Sequence, residues 1–140
     1  MSQQQQRDSI KPRLQELLTE HPEVKLAILY GSFAKGTERP DSDIDLAVAK
    51  DHRDQLDEET LLSISLEASK RTGREVQLRD LARAQGVFLK EVLTKGEVIH
   101  QTDPRVRGEL IIRMLDFVED FLPTVRMIRR KKRERFLAGE

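Results

Sequence analysis

Cysteine is absent from this 140-residue chain, so disulfide cross-links and thiolate zinc sites are excluded. Net charge is absent too: Lys+Arg and Asp+Glu both number 25. No global field therefore draws the chain to nucleic acid or to a membrane, and any charge-driven partner must be recognised locally. No segment approaches the roughly 18 apolar residues of a membrane span, and the opening MSQQQQRD lacks the apolar stretch of a secretion signal. The expectation is a soluble cytoplasmic protein, with residues 1–8 a disordered lead-in. Its three histidines, His21, His52 and His100, stand apart without metal-ligand spacing, which leaves them solvated or capping roles. The length suits one domain with a real core.

What is present is a clear alternation of elements. Ile10, Leu14, Leu17 and Leu18 recur at helical spacing, and the pattern stops before His21-Pro22. KLAILY (25–30) reads as a short apolar strand stopped by Gly31, and IDLAVA (44–49) as a second with Ile44, Leu46 and Val48 on one face. Asp54 is placed to cap a helix with Asp57, Glu58 and Glu59 in its first turn and Lys70 and Arg71 in its last. Gly73 follows as a stop, so charges suit the helix dipole at both ends. REVQLR (74–79) alternates as a third strand with Val76 and Leu78 inward. Leu81, Ala84, Phe88 and Val92 mark a further helix ended by Lys95-Gly96, and EVIHQ (97–101) is a fourth strand. Asp103-Pro104 opens a long last helix. No internal repeat is visible. The order α-β-β-α-β-α-β-α predicts an α/β (α+β) domain with a small mixed sheet flanked by helices, spanning residues 9–122. Residues 123–140 are left as a basic tail, since Pro123 is expected to kink or end the last helix.

One stretch carries chemistry. In LYGSFAKGTERPDSDIDLAV an apolar strand ends in Gly31-Ser32, and after ten intervening residues Asp43 and Asp45 open the next strand. Glycine lets the backbone approach a ligand, and the amides that follow, with the Ser32 hydroxyl, can donate to phosphate oxygens. Lys35 and Arg39 add positive charge nearby. Alternation along the strand points both carboxylates to one face, opposite Ile44 and Leu46 and away from the core. Two carboxylates side by side are costly unless a cation sits between them. Mg2+ suits such a pair, because it takes one or two carboxylates together with substrate phosphates. A glycine turn alone, or an Asp-x-Asp alone, is usually structural; the whole arrangement points to metal-assisted phosphoryl or nucleotidyl transfer.

These residues resemble the signature of the nucleotidyltransferases of the DNA polymerase beta superfamily. They are most similar to its short members, the minimal nucleotidyltransferases (MNT). The likeness continues through REVQLRDL and Lys95-Gly96-Glu97-Val98-Ile99, covering roughly residues 24–101. The resemblance implies a polymerase-beta-like fold, with Gly31 and Ser32 on the triphosphate of ATP and Asp43 and Asp45 on the metal. Its antitoxin branch implies a further activity: transfer of AMP from ATP to a tyrosine of a helical HEPN ribonuclease toxin, which is thereby silenced. One position departs from the pattern. Where the family carries a third carboxylate in a Val-Asp-Leu-like run, this chain has Val76-Gln77-Leu78. An amide binds a metal weakly and is no base at neutral pH. Glu75, on the same strand face, is the candidate substitute; otherwise a neighbouring group serves, or this copy is slow or inactive.

The resulting expectation is a Mg2+-dependent protein adenylyltransferase acting as an antitoxin, with Asp43, Asp45 and Glu75 as catalytic candidates. Gly31, Ser32, Lys35 and Arg39 are the nucleotide-binding candidates. The alternative is a weak or inactive MNT module that neutralises its HEPN partner by binding alone. Adenylylation of a small molecule fits less well, because 140 residues leave little room for an acceptor domain. The partner is expected on the 104–122 helix, where nine of the thirteen residues from Leu110 to Leu122 are apolar, more than one buried stripe requires. The run RMIRRKKRERF (126–136) is read as a solvated basic face without direct nucleic-acid binding.

Overall fold

The computed structural model describes the backbone of residues 3–32 and 43–137. Lys35 and Arg39 lie outside the described residues. Four strands form one sheet in the order β3-β2-β1-β4, with β1 Leu26–Tyr30, β2 Ile44–Ala49, β3 Val76–Asp80 and β4 Glu97–Gln101. Strand β1 pairs antiparallel with both β2 and β4, while β2 and β3 are parallel. A parallel pair needs a crossover, and α2, Glu58–Thr72, supplies it. The mixed sheet flanked by helices is the architecture expected from the sequence.

Both faces of the sheet are covered. On one, Ala27, Leu29, Ile44, Leu46, Val48, Val76 and Ile99 pack with Ile10, Leu14, Leu17 and Leu18 of α1 (Gln3–Thr19) and Ile64 and Ala68 of α2. On the other, Leu26, Ile28, Ala47 and Ala49 pack with Leu89 and Val92 of α3 (Gly86–Lys95) and Val106 and Leu110 of α4 (Pro104–Leu137). The face that carries Asp45 is therefore a second core along most of its length, not a face away from the core. The near-continuous apolar reading of β1 is the physical mark of a strand buried on both sides.

Four further expectations are corrected. Helix α1 starts at Gln3, within the stretch expected to be disordered; the glutamines there are good helix formers. Asp57, not Asp54, is the residue preceding α2, and it makes no side-chain capping bond. Helix α3 begins only at Gly86, because Leu81 and Ala84 belong to a turn. That turn is built on Asp80, whose carboxylate accepts from the Leu56 amide at 2.8 Å and the Ala82 amide at 2.7 Å. The apolar spacing runs on from the turn into the helix and hides the boundary. Finally, α4 continues through Pro123 to Leu137. A proline inside a helix costs about 3 kcal/mol locally, but the Arg, Lys and Glu residues that follow are strong helix formers. Gly73 ends α2 as expected, at φ +71° with its amide on the Ser69 carbonyl at 2.9 Å. No helix among the described residues is long and apolar enough to cross a membrane.

Candidate active site at the mouth of the sheet

Tyr30 closes β1, and Gly31 turns the chain at φ +72°. Its register partner across the strands is Asp45: Tyr30 faces Asp45, and Asp45 in turn faces Gln77 on β3. A Cβ on Gly31 would overlap Asp45 Oδ2 and stand 3.3 Å from its Cγ. Glycine is thus needed twice here, for the left-handed turn and for the space in which the Asp45 carboxylate lies against the backbone. The half-buried Ser32 follows with helical backbone. The glycine turn and the aspartate pair, ten residues apart in sequence, meet in the fold.

Asp43 is exposed just before β2, and Asp45 is half-buried within it. Burial pushes the Asp45 carboxyl above its ordinary value, the Asp43 charge pushes it further, and the Arg79 guanidinium pulls it back. A desolvated carboxylate beside a second carboxylate is an arrangement that a bound cation would relieve. Among the described residues no cluster of three or more acidic, histidine or cysteine ligands forms. The donor set is the Asp43–Asp45 pair, which fits a Mg2+ ion that completes its shell with substrate phosphates and water.

Gln77 stands where the third carboxylate was looked for. Its amide Nε2 donates to Asp43 Oδ2 at 3.2 Å, so it steadies the aspartate pair without adding charge. Glu75 is exposed and lies one step before the Ile44–Val76 register pair, alongside Asp43; its own backbone carbonyl accepts from the Ile44 amide at 2.9 Å. Asp80 is committed to the turn described above.

Sequence reasoning missed Arg79, Tyr30 and Phe88. Arg79 follows Gln77 by two residues on β3 and so shares its face. Its guanidinium carbon lies 4.3 Å from the centroid of the Phe88 ring. Its positive charge also acts on the Tyr30 hydroxyl. The Tyr30 and Phe88 rings meet edge to face, centroids 5.8 Å apart at 78°. Burial and the Asp45 charge raise the Tyr30 pKa, against the lowering effect of Arg79. The available signal was alternation itself: with Val76 and Leu78 inward, Gln77 and Arg79 had to share the carboxylates' side.

The three histidines are occupied locally. His21 Nδ1 lies 3.3 Å from Glu23, His52 Nδ1 lies 2.7 Å from Asp51, and His100 Nε2 lies 3.3 Å from the Val24 carbonyl.

Residues 13–105 match the family described as "Polymerase beta, Nucleotidyltransferase". The chain belongs to this family. It is 32% identical over 81 residues to the protein adenylyltransferase MntA of Shewanella oneidensis, an alignment covering 58% of this chain and 57% of MntA. It thus matches less than two thirds of that relative's length. Among solved structures, a chain of a toxin–antitoxin complex with AMP-PNP superposes with TM-score 0.68 at 24% identity, covering 86% of this chain and 96% of that one. A chain of the tri-AMPylated Shewanella oneidensis HEPN toxin in complex with its MNT antitoxin gives TM-score 0.64 at 21% identity, covering 89% of this chain and 97% of that one. At these identities the two structures establish the shared fold.

Proposed function

We propose that this nucleotidyltransferase is an antitoxin that moves AMP from ATP to a tyrosine hydroxyl of a helical HEPN-family toxin, and that it works in the cytoplasm. The observation that carries the reading is the contact of Gly31 with the Asp45 carboxylate, beside Asp43. In this reading, backbone amides able to donate hydrogen bonds to phosphate lie beside a carboxylate pair, the juxtaposition a nucleotide triphosphate and its cation require. The name of the Shewanella relative and the AMPylated toxin found with a similar chain supply the acceptor class. Gly31 and Ser32 would hold the triphosphate, with Lys35 and Arg39 adding positive charge. Asp43 and Asp45 would hold Mg2+, which when bound neutralises charge developing on the phosphates. In-line attack by the tyrosine oxygen on the α-phosphorus would then release pyrophosphate.

The toxin would dock on α4, where Ile112 and Leu115 expose 54% and 50% of their surface while Leu110 is buried against the sheet. The second reading, neutralisation by binding alone, is favoured by Gln77, which leaves the pair without a carboxylate base at that position. Titrating the protein with Mg2+ and ATP, then adding toxin and α-labelled ATP, separates the two. The AMP-transfer reading requires saturable nucleotide binding and label on the toxin, both lost when Asp43 and Asp45 become Asn. Toxin that binds and is silenced without acquiring label would establish the second reading.

A further inference from the structure

Arg79 is a cation to which the reading above gives no task. It sits opposite Ala47 in the β2–β3 register. Because Ala47 carries only a methyl group, the long arginine side chain can lie across β2 and reach Tyr30 on β1. The Phe88 face holds the guanidinium, whose charge acts on the Tyr30 hydroxyl and on Asp45. Arg79 is nonetheless exposed. It also lines, with Phe88, Leu61, Leu78 and Arg83, an open cavity of about 490 Å³ beyond β3. Arg79 therefore both acts on the Asp45 carboxylate and lines that cavity.

The strand order gives this position a meaning. Gly31 lies on the β1 side of Asp45, while Gln77 and Arg79 lie on the β3 side. If Gly31 and Ser32 hold the phosphates, an oxygen arriving in line, opposite the departing pyrophosphate, comes from the β3 side. Gln77 cannot take its proton. A guanidinium carries five N–H donors, and that of Arg79 lies over the Phe88 ring, which itself meets the Tyr30 phenol ring edge to face.

We propose that Arg79 is a catalytic residue on the acceptor side: its guanidinium binds the oxygen of the incoming tyrosine and stabilises it as the attacking phenolate. The inference rests on the AMP-transfer reading. In the step, the phenol O–H bond breaks and its proton passes to solvent water. An electron pair of the phenolate oxygen forms the bond to the α-phosphorus. The bond from that phosphorus to its bridging oxygen breaks, and those electrons leave with pyrophosphate. The cavity beyond β3 receives the acceptor ring. A cation held in place by an aromatic face needs no reorganisation as charge develops, which is where fixed donors are most effective. The other charged and titratable groups that act with the guanidinium are Tyr30 on β1 and Asp45 on β2, with Asp43 acting on Asp45 in turn. Along the cavity stand Glu58 of α2, Asp80 and Arg83.

The test compares wild type, Arg79→Met and Arg79→Lys in transfer from α-labelled ATP to the HEPN toxin, across pH, with AMP-PNP affinity and thermal unfolding measured alongside. Arg79→Met is expected to lower the rate at saturating ATP by about 100-fold. AMP-PNP affinity should change no more than about threefold, well under the tenfold that 1.4 kcal/mol would give. The pH at which the rate levels off should move upward, because the phenol loses the charge that favours its ionised form. Arg79→Lys keeps the charge, so it should hold the wild-type pH profile at a reduced rate, and it decides the matter if the Met variant does not fold. An unmoved profile in Arg79→Met, or one displaced upward in Arg79→Lys, overturns the proposal. So does a rate loss matched by lost AMP-PNP affinity, which would make Arg79 a phosphate ligand. Wild type that transfers no label sinks the AMP-transfer reading and this step with it; wild type that transfers while Arg79→Met is unimpaired sinks this step alone.

Discussion

Gly31 and Asp45 share one space, and substitution at either is felt by the other. Gly31→Ala places a Cβ against the Asp45 carboxylate in a left-handed backbone. The backbone penalty is about 1–2 kcal/mol, and displacement of Asp45 should abolish AMP-PNP binding. A lowered melting temperature with unchanged AMP-PNP affinity would contradict this account of the turn. Asp45 also leaves a mark on the pH dependence of the nucleotide-free protein. Its folded pKa is raised above the ordinary 3.8, so the folded state holds the proton more tightly than the unfolded chain. That contribution to stability is complete below 3.8 and is lost as pH rises through the raised value. Asp80 is raised as well and acts in the same direction. The difference between wild type and Asp45→Asn isolates the Asp45 part. The variant should be equally or more stable at neutral pH, and its advantage should shrink as pH falls toward 3.8. The Asp43→Asn/Asp45→Asn double variant should keep its fold and lose Mg2+-dependent ATP binding. A large loss of stability in the double variant would make the pair structural. The paired aspartates were legible as a candidate site because strand parity sets them on one face. Arg79 was not, because its meaning depends on which strands flank β2, and sheet order is absent from local pattern.

Among the elements, the strands were the most readable, since β2 and β4 occupy the expected spans and β1 differs by one residue. Runs such as Ile28, Leu29, Leu46 and Val48 have few other ways to be buried. The start of α3 was not readable, because Leu81 sits in the core while its backbone extends the sheet, its amide donating to the Val48 carbonyl at 2.8 Å. An apolar residue reports burial and not the backbone that achieves it. Strand β3 supplies the most direct test of the third site position. Gln77→Asp adds a carboxylate beside Asp45 and removes the hydrogen bond to Asp43. It should destabilise the nucleotide-free protein, tighten Mg2+ binding severalfold and raise the transfer rate. Glu75→Gln should lower transfer if Glu75 serves as base. A Gln77→Asp protein with unchanged Mg2+ affinity would show that this position does not face the metal. On α4, Leu110 is buried, Met114 and Phe117 are half-buried, and Ile112 and Leu115 are exposed. The excess of apolar residues thus divides into an inner and an outer stripe. Adding the toxin should slow amide exchange across 110–120, and Ile112→Glu with Leu115→Glu should weaken the complex at least tenfold while sparing the melting temperature. Exchange unaltered by the toxin would place the interface elsewhere.

For the whole molecule, the sheet does one thing for function: it brings the end of β1, the start of β2 and the outer strand β3 to one mouth. Family membership and fold follow from the match over residues 13–105 and from the strand order. What the chain modifies is the claim that carries the rest. The most direct measurement is intact-mass and fragment mass spectrometry of the HEPN toxin after incubation with this protein, ATP and Mg2+. The account predicts toxin carrying one or more adenylyl groups on tyrosine, and none when the Asp43→Asn/Asp45→Asn protein is used. Toxin that remains unmodified while held in a stable complex would contradict it and leave binding alone as the means of neutralisation.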